Sequence, residues 1–375
     1  MTGIRHLYVH LPFCAHRCGY CDFVTVVGRA GSHHAYVDAL LAELELDRGL
    51  LADPLETVYL GGGTPTFTDP AALERLLAAL PPAGEVTIEA NPETVAPALA
   101  RLLSRNGVNR VSMGAQSFDS RLLSVLERRA TPDDVRRAVH TLRDASFDNI
   151  SLDLIYGIPG QSASDLQRDL EAALALEPEH LSCYELEAKP GTRFTHTFGD
   201  ELARQSDALE GYFEQVVETL TAAGYRWYET ANFCRRPDLA DGRDLRSRHN
   251  LAYWLGRDYL GLGIGAVSTL GTGVGTVRRR NMPQLPAYLA ALAGGEPPPR
   301  ELEPLDDDVK RRERVMLGLR LDEPLTLAGL EAAVDERALD RMEALGLATR
   351  NDNATISLTS RGRFLGGGVT AELLA

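Results

Sequence analysis

The chain has 375 residues, 44% hydrophobic and 25% charged, a globular composition that excludes a disordered, collagenous or coiled-coil protein and, at roughly 100–200 residues per domain, predicts two or three domains. Acidic residues outnumber basic ones, 53 against 39, for a net charge of −14; such a surface repels phosphate backbones, so neither nucleic acid nor an anionic membrane surface is an expected partner. No apolar run approaches the ~18–20 residues of a membrane span, and Met1–His10 lacks the apolar core of a signal peptide, so the expected location is the cytoplasm.

Apolar spacing predicts strand and helix in alternation. Leu7–Leu11 reads as a strand and His34–Leu51 as a helix. Thr57–Leu60 is a strand that runs into Gly61-Gly62-Gly63, and Pro70–Leu80 is a helix. The pairs continue as Glu85–Glu89 with Thr94–Arg105, Arg110–Met113 with Thr131–Ala145, and Ile150–Ile155 with Ser164–Leu176. His180–Leu186 is a sixth strand, followed by a long helix over Leu202–Ala223 and a short strand at Tyr225–Tyr228. A repeat of about 30 residues is the size of a βα unit, and six units are too few to close an eight-stranded barrel. The expected fold is α/β: a partial, open six-unit βα barrel, with functional residues where strands end.

Gly294-Gly295-Glu296-Pro297-Pro298-Pro299 reads as a linker. Beyond it, Asp306–Leu319 and Thr326–Leu345 read as helices and Ala348–Leu358 as two short strands about Asn351-Asp352-Asn353, a winged-helix-like module with little basic excess. The chain therefore divides into a barrel over 1–230, an extension over 231–298 and a C-terminal module over 299–375.

Three of the five cysteines, Cys14, Cys18 and Cys21, fall within eight residues directly after the first strand, spaced C-x3-C-x2-C. An odd count in a chain this long is not a disulfide framework. Three thiolates on one loop can hold three irons of a [4Fe–4S] cluster and leave the fourth iron open to a small molecule. The competing readings are a zinc knuckle, which needs a fourth ligand from His10, His16 or a distant cysteine, or free buried thiols. Cys183 and Cys234 read as buried small apolar residues, although Cys234 follows Asn232-Phe233.

The cysteine loop, with the aromatic Tyr20 just before Cys21, resembles the radical S-adenosylmethionine (SAM) superfamily. In that superfamily the methionine end of SAM chelates the open iron, and one electron from the cluster cleaves SAM to a 5′-deoxyadenosyl radical. Gly61-Gly62-Gly63-Thr64-Pro65-Thr66 alone would be a common glycine turn, open to a close ligand approach; after this motif it resembles the loop that contacts the SAM amino group. Glu89 in Ile-Glu-Ala-Asn-Pro, Gln116 in Ser-Met-Gly-Ala-Gln-Ser-Phe, Arg128 in a helical segment and Asp153 in Asp-Leu-Ile-Tyr-Gly read singly as surface or capping residues. Together they resemble the family of the coproporphyrinogen dehydrogenase HemN and its relative HemW. The resemblance implies SAM contacts at Tyr8, Gly62, Gly63, Thr64, Glu89, Gln116, Arg128 and Asp153: carboxylates suit ribose hydroxyls and an ammonium, an arginine suits a carboxylate.

The two branches of that family differ legibly. The oxidase branch carries a further cysteine two residues after the third ligand, where this chain has Phe23, and a longer extension before the motif, where this chain has Tyr8 almost at its start. Arg248-His249-Asn250-Leu-Ala-Tyr253-Trp254, preceded by Tyr228-Glu229 and Asn232-Phe233, resembles the H-N-x-x-Y-W stretch of the HemW branch. The resemblance implies a haem chaperone that passes haem to apo-haemoproteins such as respiratory cytochromes. His249 is then a candidate haem ligand and Tyr253 and Trp254 candidate packing partners, while a buried, hydrogen-bonded core histidine is the competing account. The cluster and SAM would regulate or assist transfer. The alternatives are anaerobic coproporphyrinogen III oxidation, against which Phe23 argues, another radical-SAM enzyme acting on a tetrapyrrole or small molecule, and a structural zinc protein. The sequence leaves a homodimer and a transient membrane contact through a partner open.

Overall fold

A computed structural model describes residues 3–187, 193–272, 275–351 and 354–375. Six parallel strands lie side by side in sequence order: β1 (His6–Leu11), β2 (Leu55–Gly62), β3 (Ala83–Ala90), β4 (Arg110–Gln116), β5 (Ile150–Tyr156) and β6 (His180–Glu185). Helices α1 (His33–Asp47), α2 (Pro70–Ala79), α3 (Pro97–Arg105), α4 (Ser120–Val125), α5 (Pro132–Asp144) and α6 (Ala163–Leu174) make the crossovers. β7 (Tyr225–Trp227) and β8 (Asn232–Arg235) extend one edge antiparallel, and β9 (Leu260–Leu262) adds a parallel strand beside β1. The nine-stranded sheet leaves β9 and β7 as unjoined edges, so the barrel is open, as expected.

Local chemistry sets these elements. α5 starts at a capping box in which Thr131 and Asp134 satisfy each other's backbone N–H groups, with Pro132 at the first helical position. Val135, Ala138, Val139 and Leu142 then make the buried stripe of a helix lying on a sheet. α6 repeats the device with Ser162 and Asp165. β1 is buried at every position except Tyr8, as a strand covered on both faces must be.

Several boundaries differ from expectation. The long helix α7 (Arg193–Ala222) begins at Arg193, not Leu202: Phe194, Phe198 and Leu202 recur at helical spacing and pack with Leu122 and Ile158. The strands β9, β10 (Val267–Thr272), β11 (Gly275–Asn281) and β12 (Arg300–Leu305) carry too little apolar alternation to be read, Arg278-Arg279-Arg280 lying inside β11. After α8 (Arg248–Trp254) and α9 (Leu285–Ala293), the expected linker Gly294–Pro299 leads into β12, which pairs with β11. That stretch is thus a connection inside the second part of the chain. α10 (Asp307–Gly318) is as expected. The predicted helix Thr326–Leu345 is instead β13 (Leu325–Thr326), a 3-10 turn and α11 (Glu336–Ala344). Gly329 at φ +80° breaks the run, and Asp335 caps a new start by accepting from the Ala338 N–H. β14 (Ala348–Asn351) and β15 (Thr355–Leu358) form the hairpin; the predicted turn residues Asp352 and Asn353 lie outside the described residues.

The C-terminal module has its own core of Val315, Leu339, Ile356 and Leu373. Charged clips hold it to the barrel: Arg320 Nε donates to the fully buried Glu229 at 2.7 Å, Arg226 pairs with Asp322, and the Arg363 guanidinium lies 3.6 Å above the Trp227 ring.

Candidate cluster and SAM site

Past β1 the chain turns over the sheet, and Phe13-Cys14 pairs with Val26-Val27 to close the cysteine loop. Cys14, Cys18 and Cys21 all face one cavity of 420 Å³. Cys14 Sγ lies 3.4 Å from Thr64 Oγ1, and Arg128 Nη1 lies 3.9 Å from Cys18 Sγ. Burial pushes the Cys14 and Cys21 thiols up, so their thiolates need positive charge beside them. Among the described residues no three His, Cys, Asp or Glu side chains stand close enough to hold a single metal ion. His10 is spent on the Val24 carbonyl (2.8 Å) and the Tyr8 hydroxyl (3.1 Å), and His16 lies 3.8 Å from Glu127. Among the described residues the zinc reading thus finds no assembled ligand set, whereas three thiols around a shared cavity fit a cluster of several irons.

Seven of the eight expected SAM contacts line that same cavity: Gly62, Gly63, Thr64, Glu89, Gln116, Arg128 and Asp153. Two glycines are obligatory. Gly62 has φ +117°, and a Cβ there would fall 2.5 Å from the His10 ring; a Cβ on Gly63 would fall 2.5 Å from the Pro12 carbonyl and 3.0 Å from Cys14 Sγ. Gln116 has φ +66° where the register of β4 and β5 shifts, a bulge of the kind that re-aims a side chain. Glu89 accepts from the Tyr59 hydroxyl (2.9 Å) and the Gly62 N–H (3.0 Å), and burial holds its carboxyl above the usual range. Asp153 accepts from the Ser112 hydroxyl at 3.3 Å. Burial and then Glu89 push it up to about 7, with Arg110 opposing.

Two placements are corrected in detail. Arg128 is not helical: it follows α4 in a loop, and its Nη2 donates to Asn91 Oδ1 (2.8 Å) and the Gly114 carbonyl (2.9 Å). Asp153 lies in the middle of β5, not at its end. Tyr8 stands one layer back, its ring stacked on Tyr59 at 6.2 Å.

His249 is not brought to the cavity either. Ser247 caps α8, and the Arg248 and His249 N–H groups both donate to the buried Glu85 carboxylate at 3.1 Å. The His249 ring, 1% exposed, stacks on Tyr59 at 5.1 Å. Its Nδ1 is 2.7 Å from Thr57 Oγ1 and its Nε2 3.0 Å from the Tyr253 hydroxyl. Burial lowers it to about 3, so it is neutral. With both nitrogens hydrogen-bonded, this geometry is that of the competing account, a buried core histidine. Trp254 packs beneath the Arg320 guanidinium at 4.4 Å.

Sequence reasoning missed Tyr59, Asn91 and Arg110 in the cavity wall. Arg110 is 1% exposed and donates no side-chain hydrogen bond among the described residues, its Nε being unpaired. The one available signal was a charged residue opening a strand otherwise rich in buried positions. Phe23, at the position that distinguishes the oxidase branch, sits 64% exposed on the cavity rim.

An open parallel sheet whose strand ends carry three converging thiols and a bare glycine loop defines a radical SAM protein, and residues 8–173 match the Radical SAM superfamily. The family carries a [4Fe–4S] cluster and SAM. More narrowly, the chain belongs to the HemW family. It is 38% identical to the protein named heme chaperone HemW of Mycobacterium tuberculosis (strain ATCC 25618 / H37Rv), across 98% of this chain and 94% of that one. It is 31% identical to that of Bacillus subtilis (strain 168), across 99% of each. Among solved structures, the coproporphyrinogen III oxidase HemN of Escherichia coli shares the fold with a TM-score of 0.80 at 24% identity, over 99% of this chain and 90% of that one.

Proposed function

We propose that this chain is a haem chaperone: it binds haem and delivers it to apo-haemoproteins such as respiratory cytochromes. The observation that carries the reading is similarity over nearly the full length to proteins named heme chaperone HemW, spanning the cysteine loop, the α8 stretch and the C-terminal module. In this reading Cys14, Cys18 and Cys21 hold three irons, and the open iron with Gly62, Gly63, Thr64, Glu89, Gln116, Arg128 and Asp153 holds SAM, with Tyr8 buttressing Tyr59 behind them. When bound, the cluster supplies one-electron chemistry toward SAM; the chain's own residues position the two and exclude water. Among the described residues no helix is long and apolar enough to cross a membrane. The chaperone acts in the cytoplasm, as a single chain or a homodimer, and meets membrane-bound recipients transiently.

The test is haem titration of anaerobically reconstituted protein, followed by mixing with an apo-cytochrome. Saturable Soret change near one haem per chain, followed by transfer to the apo-protein, is expected. No saturable binding would overturn the reading, and protoporphyrinogen formation from coproporphyrinogen III would replace it with the oxidase.

A further inference from the structure

With His249 enclosed, haem needs another place to dock, and a second cavity supplies one. It measures 680 Å³, larger than the SAM cavity, and opens between the end of α8, the β10–β11 hairpin and α10 of the C-terminal module. That lies within the range of small-molecule and cofactor sites. Tyr253 and Tyr259 line it, their rings edge to face at 4.6 Å, and Met316, 44% exposed, lies at its edge.

The lining carries five cations, Arg257, Arg278, Lys310, Arg311 and Arg314, against three acids, Asp258, Asp307 and Glu313. This local excess stands on a chain of net charge −14. Arg278 takes Glu313 with two contacts of 2.7 Å, and Arg311 pairs with Asp308. Asp258 accepts from the Gly271 N–H at 2.9 Å. Among the described residues Arg257, Lys310 and Arg314 form no ion pair; Arg314 donates only to the Trp254 carbonyl, at 3.2 Å. Arg257 is near enough to Arg314 to depress its guanidinium further, burial being the larger cause. Like charges left without counter-ions in a cavity that two tyrosine rings also line favour an anion between them.

We propose that this cleft is the haem-docking site, with the porphyrin against Tyr253 and Tyr259 and the propionates received by Arg257, Lys310 and Arg314. The proposal rests on the haem-chaperone reading. The C-terminal module then forms one wall of the cargo site.

The test compares haem with haem dimethyl ester, whose propionates carry no charge. The reconstituted full chain should bind haem about tenfold or more tighter than the ester, as loss of charge-assisted contacts predicts. Arg257→Glu combined with Arg314→Glu should lower haem affinity by at least that factor and leave the ester nearly unaffected. Lys310→Glu, on an exposed residue, should weaken haem several-fold. Equal affinity for haem and ester, or unchanged haem affinity in both variants, overturns the cleft and leaves the chaperone standing. Failure of the wild type to bind either compound saturably overturns the chaperone reading itself.

Discussion

Replacing His249 by alanine separates a structural histidine from an iron ligand, because the two roles predict opposite orders of effect. The ring is 1% exposed and contacts Tyr59 and Tyr253 at centroid distances of 5.1 and 5.0 Å. Truncating a buried ring of this kind costs about 2–4 kcal/mol, somewhat less than the phenylalanine value because the ring is smaller. The hydrogen bonds add little more. Thr57 Oγ1 keeps its contact with His6 Nδ1 at 3.0 Å, and Tyr253, on the cleft wall, can turn to water. A total near 3 kcal/mol follows, with the larger part in packing. Urea unfolding of the haem-free protein should show this loss before any haem is added. His249→Asn, which retains one ring-like donor, should lose about half as much. Acid sensitivity gives a second readout. The native ring is held down to about 3, below the ~6.5 of an exposed histidine. Its contribution is present above pH ~6.5 and drains away as pH falls, because the unfolded chain takes up a proton that the native ring refuses. His249→Ala should remove that component. A variant with unchanged urea midpoint and an abolished Soret change would refute the structural account and restore His249 as the ligand.

Asp153, pushed up to about 7, should make SAM affinity pH-dependent. The sulfonium is cationic and the ionised carboxylate favours it, so SAM binds more tightly at pH 8 than at pH 6, by up to about tenfold. Asp153→Asn should flatten the profile, and Arg110→Met should move the midpoint upward, since the Arg110 cation holds Asp153 down; a wild-type profile already flat across this range would reject the assignment. Gly63→Ala should lower iron per chain after reconstitution by more than half, because its Cβ would fall on the Pro12 carbonyl and near Cys14 Sγ, while Gly49→Ala, with nothing within 4 Å, should load normally. Arg320→Ala takes the cation from the Oε1 of the fully buried Glu229 and leaves its Oε2 with the Ala231 N–H and the Asn232 side chain. It should cost about 2 kcal/mol after allowance for the exposed side of the pair and expose the C-terminal module to limited proteolysis, with Arg320→Lys intermediate.

What was legible in the sequence is what local spacing controls. C-x3-C-x2-C, the triple glycine and the repeat of about 30 residues are written within short windows, and each lies where expected. Tyr59 and Arg110 were harder, because alternation along a strand says which residues share a face and not whether that face meets a packed helix or an open lumen. In a sheet covered on both sides, the lumen-facing tyrosine and arginine read as ordinary interior positions. The start of α7 was missed for a related reason. Its first turns are polar apart from Phe194 and Phe198, which pack with Leu122, Ile155 and Ile158 and with Tyr20 of the cysteine loop, Phe194 lying 6.4 Å from the Tyr20 ring edge to face. That contact joins segments far apart in sequence, so no window contains it. It also gives the helix a task, since the aromatic next to Cys21 is braced by α7. His249 shows the limit from the other side. A motif marks residues that must stay together, and here the histidine holds α8 against β2 through Thr57 and Tyr59, which places Tyr253 at the cleft. On the haem-chaperone reading, the stretch serves the cleft through Tyr253 while its histidine stays in the core.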